Sequence, residues 1–412
     1  MTKPKSTQVE LLAPAGNFEK LEIAIHYGAD AVYLGGKEFS LRNFSGNFSL
    51  DEIGQAVVYA HGRGVKVYVT VNVYARNEEQ PLIAEYLKKL SAIKPDGLIL
   101  ADPGVILNAR ELVPHIPLHL STQSNSTNYN TVEFWRRLGI HRVNMARELN
   151  LAEIKSIAQR SQIEIEAFVH GAMCISYSGR CLLSSFMAGR HSNRGMCTHP
   201  CRWKYALVEE TRPGQYMPFA EDERGSYIFN SKDLCMIEHI PEIINSGVAA
   251  IKIEGRMKGI NYLASVVKVY REAIDRYVGN PDGYNESPDW MIELAKLNHR
   301  GYCTGFYFGD PRQTIPDYEF SKQMETHLFI GKILAENDQG RSLMEVRNKC
   351  QIGDPVEILS SGQSVRNTCI KDMRDDQGNS IQVAQPGARV YPDLGLKTHP
   401  NDLVRRIIYQ SF

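Results

Sequence analysis

Short apolar runs rich in β-branched residues alternate with amphipathic segments along the first 280 residues of the chain. Continuous apolar runs are typical of strands buried on both faces of a parallel sheet, and apolar positions spaced three or four apart indicate helices packed against it. The pattern predicts eight strands, at residues 9–13, 31–35, 66–73, 97–101, 118–122, 142–145, 163–169 and 249–253. It predicts helices at residues 17–28, 51–63, 79–93, 103–113, 129–138, 151–159, 237–245 and 259–278, with N-caps at Asp51, Asp102 and Asn150.

Eight strands that are each followed by a helix predict an α/β fold of the (β/α)8 TIM-like barrel type, with a long Cys-rich insertion after the seventh strand. A doubly wound open sheet is the alternative that the same pattern allows. We expect a barrel domain at residues 1–280 with its insertion at 170–235, followed by a connector at 281–325. From residue 326 to 412 apolar residues recur with period two between Gly, Asp and Asn turns, which predicts a small C-terminal β-barrel domain.

Small or polar residues follow nearly every predicted strand. The chemistry of such barrels lies at the C-terminal ends of the strands, so these positions are expected to line one pocket, although strand ends are also polar because they lead into turns. The positions are Pro14, Ala15, Gly16, Gly35, Gly36, Asn72, Asp102, Ser121, Thr122, Gln123, Arg147, Glu148, His170, Gly171, Glu254, Gly255 and Arg256. No glycine-rich phosphate loop follows a strand, so a nucleotide cofactor is not indicated.

Three of these strand-end residues are candidates for catalysis. Glu254 and Arg256 follow the eighth strand, and arginine grips a carboxylate or phosphate through two hydrogen bonds. His170 ends the seventh strand and could orient a substrate or carry a proton, but a single histidine there is more often structural. On the same strand Glu164 and Glu166 alternate, so we expect them to face one side together, neutralised by Lys252 or Arg256.

Composition narrows the class of protein. The chain has 412 residues, of which 43% are hydrophobic and 23% charged, which is typical of a globular protein. Its net charge of zero argues against a uniformly basic protein that binds nucleic acid over its whole surface. No apolar run approaches the length of a membrane span and the N-terminus lacks a signal-peptide pattern, so we expect a cytoplasmic protein that does not enter membranes. Eight unevenly placed cysteines indicate a metal site in a reducing compartment rather than a disulfide scaffold.

The cysteines concentrate in one basic segment. Cys174, Cys181, Cys197 and Cys201 lie between Glu166 and Glu209, where the sequence has no acidic residue, and Cys235 follows in a second polar loop. Positive charge stabilises thiolates, which bind soft metals and iron–sulfur clusters. The spacing matches neither a zinc finger nor a ferredoxin, so zinc and an iron–sulfur cluster both remain open from the spacing alone. Three other cysteines, at isolated strand-like positions, are expected to be core residues: Cys303, Cys350 and Cys369.

A longer motif within this segment resembles the signature of the U32 family, long catalogued as peptidases. Its residues are Glu166, Phe168, His170, Gly171, Cys174, Gly179, Cys181 and Ser184. The chain is closest in character to members that hydroxylate tRNA, forming 5-hydroxyuridine at the wobble position in a prephenate-dependent pathway. Other members work in pairs as ring hydroxylases of quinone biosynthesis that do not use O2. The resemblance covers roughly residues 8–310 and is specific for the family rather than for the substrate.

The resemblance implies a barrel that carries a 4Fe–4S cluster. One ligand pattern in the family fits Cys174, Cys181, Cys197 and Cys235, while another uses a pair spaced like Cys197 and Cys201, which makes Cys201 the alternate ligand. It also implies tRNA as a partner, a small carboxylate such as prephenate as co-substrate, and a protein partner of the same family. Arg190 and Arg194, in the acid-free window, are the expected contacts to RNA phosphate.

A peptidase of the U32 type is the main competing interpretation. The sequence has neither a His-Glu-x-x-His helix motif nor a Gly-x-Ser-x-Gly elbow, so a metalloprotease or serine hydrolase is not indicated. A cysteine protease would need His170 or His199 beside Cys174 or Cys201. Thiols clustered under positive charge bind metal before they serve as a single nucleophile, which favours a metal site over a cysteine protease. That the metal is a cluster and the activity tRNA hydroxylation is what the family resemblance implies.

Overall fold

The computed structural model describes residues 9–40, 46–173, 232–299, 301–309, 326–336 and 341–408, and only scattered positions between residues 174 and 231. Its central element is a closed ring of eight parallel strands, in which β8 pairs with both β1 and β7. The strands are β1 Glu10–Pro14, β2 Ala31–Gly35, β3 Lys66–Val71, β4 Gly97–Leu100, β5 Leu118–Leu120, β6 Ile140–Asn144, β7 Glu164–Ala172 and β8 Ala250–Ile253. The predicted TIM-like barrel is confirmed, and the doubly wound sheet is not what forms.

Helices surround the ring and connect successive strands. They are α1 Phe18–His26, α2 Leu50–His61, α3 Gln80–Ile93, α4 Pro103–Leu112, α5 Tyr129–Arg137, α6 Leu151–Arg160, α7 Ile240–Asn245, α8 Ile260–Gly279 and α9 Pro288–Ala295. Asp102 and Asn150 cap α4 and α6 as predicted. The predicted cap of α2 is wrong. The Ser49 hydroxyl, not the Asp51 carboxylate, accepts from the Glu52 backbone N–H at 3.2 Å, and the Glu52 carboxylate accepts from the Ser49 backbone N–H. The helix therefore begins at Leu50, one residue earlier than predicted.

The main hydrophobic core lies between the strands and the helices. Outward-facing strand residues such as Leu11, Val69 and Ile251 are fully buried there, and each contributes roughly 1.5–3 kcal/mol. A second, smaller group fills the barrel lumen and includes Tyr33 and Tyr68. Because both faces of every strand are covered, the strands read as continuous apolar runs in the sequence.

Two short strands extend the barrel sheet beyond β7. Asp233–Cys235 runs antiparallel to the end of β7, with Cys235 opposite His170, and Tyr302–Cys303 pairs with it in parallel. The residues that return from the insertion are therefore fixed to the C-terminal end of β7. Short strands Leu207–Val208, Tyr216–Met217, Ala220–Asp222 and Gly225–Tyr227 form two antiparallel pairs within the insertion.

The C-terminal part is an antiparallel seven-stranded sheet that forms a half-barrel, which agrees with the predicted small β domain. In sheet order its strands are Arg366–Cys369, Pro355–Leu359, Leu403–Ile407, His327–Glu336, Ser342–Val346, Arg389–Asp393 and Asp372–Arg374. A separate pair is formed by Cys350–Gln351 and Val383–Ala384. The proposed division at residues 280 and 325 stays a prediction.

A buried ion network joins this sheet to the barrel helices. The Arg405 guanidinium, which is fully buried, donates to Glu293 of the barrel side at 2.6 and 2.9 Å and lies 2.7 Å from Glu357 of its own sheet. Lys296 reaches across to Glu357 at 2.8 Å, and the Tyr27 hydroxyl donates to the Leu359 carbonyl at 2.7 Å. Removing one partner of such a network leaves an uncompensated buried charge, so the two parts are held in one arrangement.

Candidate functional site at the mouth of the barrel

The N-terminal half of the lumen holds a closed set of charged residues. Arg142 of β6 donates to Glu10 at 2.6 Å and lies 2.7 Å from Glu164, and Lys66 donates to Glu10 at 2.9 Å. Burial, the largest single influence, would raise the pKa of Glu10, but the charges and hydrogen bonds of Arg142 and Lys66 together outweigh it and lower the pKa. Glu10 is therefore an ionised, paired carboxylate within the barrel, whereas the side chains of Glu164 and Lys66 are each more than half exposed.

One layer higher, Glu166 faces the same side as Glu164, as predicted. Lys252 donates to Glu166 at 2.9 Å, which confirms one of the two expected partners, and its ammonium lies 4.4 Å from the centre of the Tyr33 ring. Burial lowers the pKa of Lys252, and the charge of Glu166 opposes that shift. The prediction named Lys252 or Arg256, and Lys252 fulfils it. Arg142, 3.5 Å from Glu166, is a second cation beside this carboxylate.

Arg256 lies at the C-terminal rim of the ring. It is buried, and its guanidinium donates to the Thr70 hydroxyl at 3.0 Å and to the Ser40 hydroxyl at 2.9 Å. A Cβ at Gly35 would lie 2.6 Å from Nη1, so the glycine at the end of β2 makes room for the arginine. Lys20 donates to the Arg256 carbonyl at 3.0 Å, and burial lowers the pKa of this lysine. Arg256 and Lys20 thus place two cationic side chains at the barrel mouth, where they would attract an anionic ligand.

Glu254 connects the ends of β7 and β8. Its backbone N–H donates to the His170 carbonyl at 2.9 Å, and its own carbonyl accepts from the Tyr262 hydroxyl at 2.9 Å. Gly171 has φ +108°, and a Cβ there would lie 2.6 Å from the Glu254 carbonyl oxygen. The glycine that follows the histidine in the family-like motif is therefore required by the close approach of the two strands.

His170 is enclosed rather than open to the lumen. Its ring packs 5.5 Å from Tyr270 and Tyr302 and 5.8 Å from Tyr262, measured between ring centres. Burial lowers its pKa to about 3, so the ring is neutral at physiological pH. Neither ring nitrogen has a hydrogen-bond partner among the described residues. The structure thus brings His170 together with Cys235 but not with Arg256.

Cys235 is the only predicted cluster ligand that the structure describes. It is buried, its sulfur lies 4.0 Å from the Tyr270 hydroxyl, and burial raises the pKa of its thiol to about 12. The other predicted cluster and RNA residues lie outside the described part of the chain: Cys174, Cys181, Cys197, Cys201, Arg190 and Arg194. Within the described part, no group of three or more His, Cys, Asp or Glu residues is arranged to hold a metal.

The remaining cysteines differ in their surroundings. Cys350 is buried in the core of the C-terminal sheet, as predicted. Cys369 is exposed and Cys303 is half-buried beside Leu234, so the expectation that all three are core residues was wrong for these two. Both lie in short strands near sheet edges, where alternation alone does not determine burial.

A group of amides lies at the rim, of which Asn72 and Gln123 were among the positions expected to line the pocket and Asn144 was not. Asn72 donates to the Gln123 side-chain oxygen at 2.6 Å, and the Ser121 hydroxyl donates to the same oxygen at 3.2 Å. Gln123 is 5% exposed and Asn144, at the end of β6, is 3% exposed. The only sequence signal was the polar Ser-Thr-Gln run after the fifth strand.

No helix of the described chain is long and apolar enough to cross a membrane.

Comparisons with known proteins identify two family models that together span most of the chain. The family model for peptidase family U32 matches residues 16–316, and that for the peptidase family U32 C-terminal domain matches residues 325–405. The chain is 40% identical to tRNA hydroxylation protein P1 of Bacillus subtilis, covering 96% of this chain and 94% of that protein. It is 36% identical to tRNA hydroxylation protein P of Escherichia coli, covering 92% and 91% of the two chains.

Other relatives carry different names. A collagenase of Porphyromonas gingivalis is 29% identical, covering 96% of this chain and 97% of that protein. Among solved structures, the U32 peptidase Mk0906 matches 62% of this chain and 96% of its own, with 15% identity and a TM-score of 0.40. Because the first family model spans most of the sequence, the chain belongs to peptidase family U32.

Proposed function

We propose that this chain is a tRNA-modifying enzyme that hydroxylates C5 of the wobble uridine in a prephenate-dependent pathway. The observation that carries the proposal is the 40% identity to a protein named tRNA hydroxylation protein, which extends over 96% of this chain and includes the C-terminal part. The relative named a collagenase matches a similar length of the chain at only 29% identity, so the higher identity is what favours tRNA hydroxylation.

The barrel mouth offers groups that suit such substrates. Arg256 and Lys20 present positive charge at the rim, and either a carboxylate of a prephenate-like co-substrate or an RNA phosphate would be attracted there. Thr70 and Ser40 hold the guanidinium in place, so an anion would meet a preorganised donor. Arg190 and Arg194 are proposed to contact RNA phosphate from the insertion.

We propose that Cys174, Cys181, Cys197 and Cys235 hold a 4Fe–4S cluster, with Cys201 as the alternate ligand. The described surroundings fit such a group. Cys235 is buried at the edge where residue 174 follows β7, and the ring nitrogens of the neighbouring His170 have no partner among the described residues. A bound cluster supplies electron transfer or a binding position for substrate. The tyrosines around His170 would exclude water from its inner side.

The function is tested by mass spectrometry of tRNA nucleosides from a deletion strain with no second copy of the family. We expect 5-hydroxyuridine-derived modification to disappear and to return with the wild-type gene. A gene carrying Arg137→Gln, a substitution of an exposed arginine on α5, should restore the modification as well as wild type and serves as the control for Arg256→Gln at the rim. Persistence of the modification in the deletion strain would contradict the proposal and favour ring hydroxylation in quinone biosynthesis.

A peptidase is the second candidate, because one relative is named a collagenase and because Cys235 and His170 are neighbours on adjacent strands. A cysteine protease needs a thiolate and a histidine that accepts its proton. Here burial raises the pKa of the Cys235 thiol to about 12 and lowers the pKa of His170 to about 3, which opposes both requirements. Gelatin cleavage by iron-free protein that a single cysteine replacement abolished would restore this candidate.

A further inference from the structure

Two side-chain amides at the barrel mouth are buried with unused hydrogen-bonding atoms. The Nε2 atom of Gln123 and the Oδ1 atom of Asn144 each lack a partner among the described residues, although both residues are more than nine-tenths buried. Gln123 cannot simply turn over to exchange these roles, because its oxygen already accepts from Asn72 and Ser121. One fixed donor and one amide acceptor are therefore available.

The two amides belong to the same corner of the lumen. Asn144 follows Arg142 by two residues on β6, so its side chain points to the same inner face, and it lies in register with Glu166. Gln123 follows β5, the strand that pairs with β6, and the Thr122 hydroxyl beside it donates to the Met145 carbonyl at 3.0 Å. The turn after β5 is thereby tied to the end of β6.

Unused polar atoms at this depth are informative. A buried donor or acceptor without a partner lowers stability, and most such groups in native proteins are paired. A donor and an acceptor on neutral amides match a ligand edge with a neutral carbonyl beside an N–H, rather than an anion. Amides of this kind are also the side chains that recognise base edges in nucleic acids.

We propose that Gln123 and Asn144 bind the Watson–Crick edge of a uracil ring, with Gln123 Nε2 donating to a ring carbonyl and Asn144 Oδ1 accepting from the N3–H. This inference rests on the proposed function and specifies how the substrate base is selected. Since the two amides lie inside the barrel mouth, the base must leave its stack to reach them, as in other enzymes that act on a nucleobase. A ring without the N3–H leaves Asn144 unpaired and is rejected.

The test compares two synthetic anticodon stem–loop RNAs, one with uridine and one with 3-methyluridine at the wobble position, binding to the full-length protein. Fluorescence anisotropy is measured at one salt concentration, because phosphate contacts dominate affinity and depend on salt. We expect wild type to bind the uridine loop about ten- to a hundredfold more tightly. The ratio of the two affinities removes the contribution of the backbone.

Two substitutions each remove one of the proposed contacts. Asn144→Ala removes the acceptor for the N3–H and should bring the ratio close to one. Gln123→Glu keeps the oxygen that accepts from Asn72 but replaces the donor with a second, negatively charged oxygen. Because both rings carry the carbonyl that Gln123 would bind, this variant should weaken the binding of both loops by a similar factor and leave the ratio unchanged. Ser124→Ala is the matched control, since it lies on the same turn and its hydroxyl donates to the Ala101 carbonyl instead, so the ratio should be retained.

The outcomes separate this inference from the proposed function. If wild type binds both loops equally, if Asn144→Ala keeps the wild-type ratio, or if Gln123→Glu binds the uridine loop as tightly as wild type, the base-recognition inference is overturned while tRNA hydroxylation stands on the nucleoside measurement. If wild type binds neither loop, the base-recognition inference is overturned, and the nucleoside measurement alone decides the proposed function. Discrimination that is lost in Asn144→Ala and kept in Ser124→Ala, together with weaker binding of both loops by Gln123→Glu, supports the inference.

Discussion

The two ends of the barrel lumen satisfy their polar groups in opposite ways. At the N-terminal end, Glu10 and Arg142 neutralise each other in a direct ion pair that is shielded from solvent. At the C-terminal end, hydroxyl groups hold Arg256, while Gln123 and Asn144 each have one amide atom without a hydrogen-bond partner in the described chain. The Glu10–Arg142 pair is complete within the protein, whereas each of the two amides at the other end has an atom left unpaired among the described residues.

This difference indicates that the N-terminal end of the ring contributes to stability, whereas the C-terminal end is suited to binding a ligand. Charges that cancel within the protein give a ligand nothing to bind, whereas groups left unsatisfied lower stability and become useful only when a ligand supplies the missing partner. We therefore expect substitutions at the N-terminal end to change the free energy of unfolding. Substitutions at the mouth should instead change binding and activity.

The largest expected effect is at the mouth and concerns iron. Cys235→Ser should abolish iron and sulfide binding in anaerobically purified protein, because a serine hydroxyl is a poor ligand for the cluster. Cys303→Ser, on the strand next to Cys235, is the control and should retain the iron. Loss of iron in Cys201→Ser but not in Cys235→Ser would show that the alternate ligand set is the correct one.

At the other end, Arg142→Met should lower the free energy of unfolding by roughly 3–5 kcal/mol, since it leaves two buried carboxylates, Glu10 and Glu166, without a shared cation. Urea denaturation measures the change. Arg137→Met, an arginine whose side chain is 74% exposed, should change it by less than about 0.5 kcal/mol. Equal stability of the two variants would mean that the charged layer does not stabilise the barrel.

A smaller effect, and one on activity, is expected at the rim. Arg256→Gln should reduce wobble-uridine hydroxylation by about ten- to a hundredfold, the loss of a hydrogen bond to a charged ligand group. Quantitative nucleoside analysis of complemented deletion strains provides the measurement, and a thermal melt reports folding. A variant with a much lower melting temperature than wild type but unchanged activity would show that Arg256 stabilises the fold and does not bind the substrate.

The smallest expected effect is a pH dependence at the N-terminal end. Folding lowers the pKa of Glu10 from 4.5, so the unfolded chain binds the proton more tightly. The stability that this carboxylate contributes is complete above about pH 4.5 and is lost as the pH falls below it. Urea titrations should therefore show a shallower acid slope for Glu10→Gln than for wild type. An unchanged slope would assign the acid sensitivity to other carboxylates.

The fold could be predicted because its signals are local. Strands covered on both faces appear as apolar runs, and side chains such as Asp102 and Asn150 mark helix starts within three residues of their partners. The failure at Asp51 has the same origin, because two suitable capping residues stand two positions apart and only the backbone geometry selects Ser49.

The site was less predictable because its contacts join distant parts of the chain. Arg142 meets Glu10 across 132 positions, and nothing near either residue in the sequence indicates the other. Gln123 and Asn144 were polar strand-end residues like many others until the structure showed which of their atoms lack partners. His170 illustrates the reverse case. It was a catalytic candidate by position, but its tyrosine surroundings become visible only when α8 is packed beside β7.

The ion network around Arg405 has a consequence for the evolution of this architecture. Glu293 and Ser265 sit on barrel helices, yet their cationic partner comes from a strand more than a hundred residues later. A lineage that acquired the last eighty or so residues would cover this carboxylate, and burying a charge without sufficient compensation is costly. Gain of the terminal sheet is therefore not a single step, because the strand that covers Glu293 must also supply Arg405.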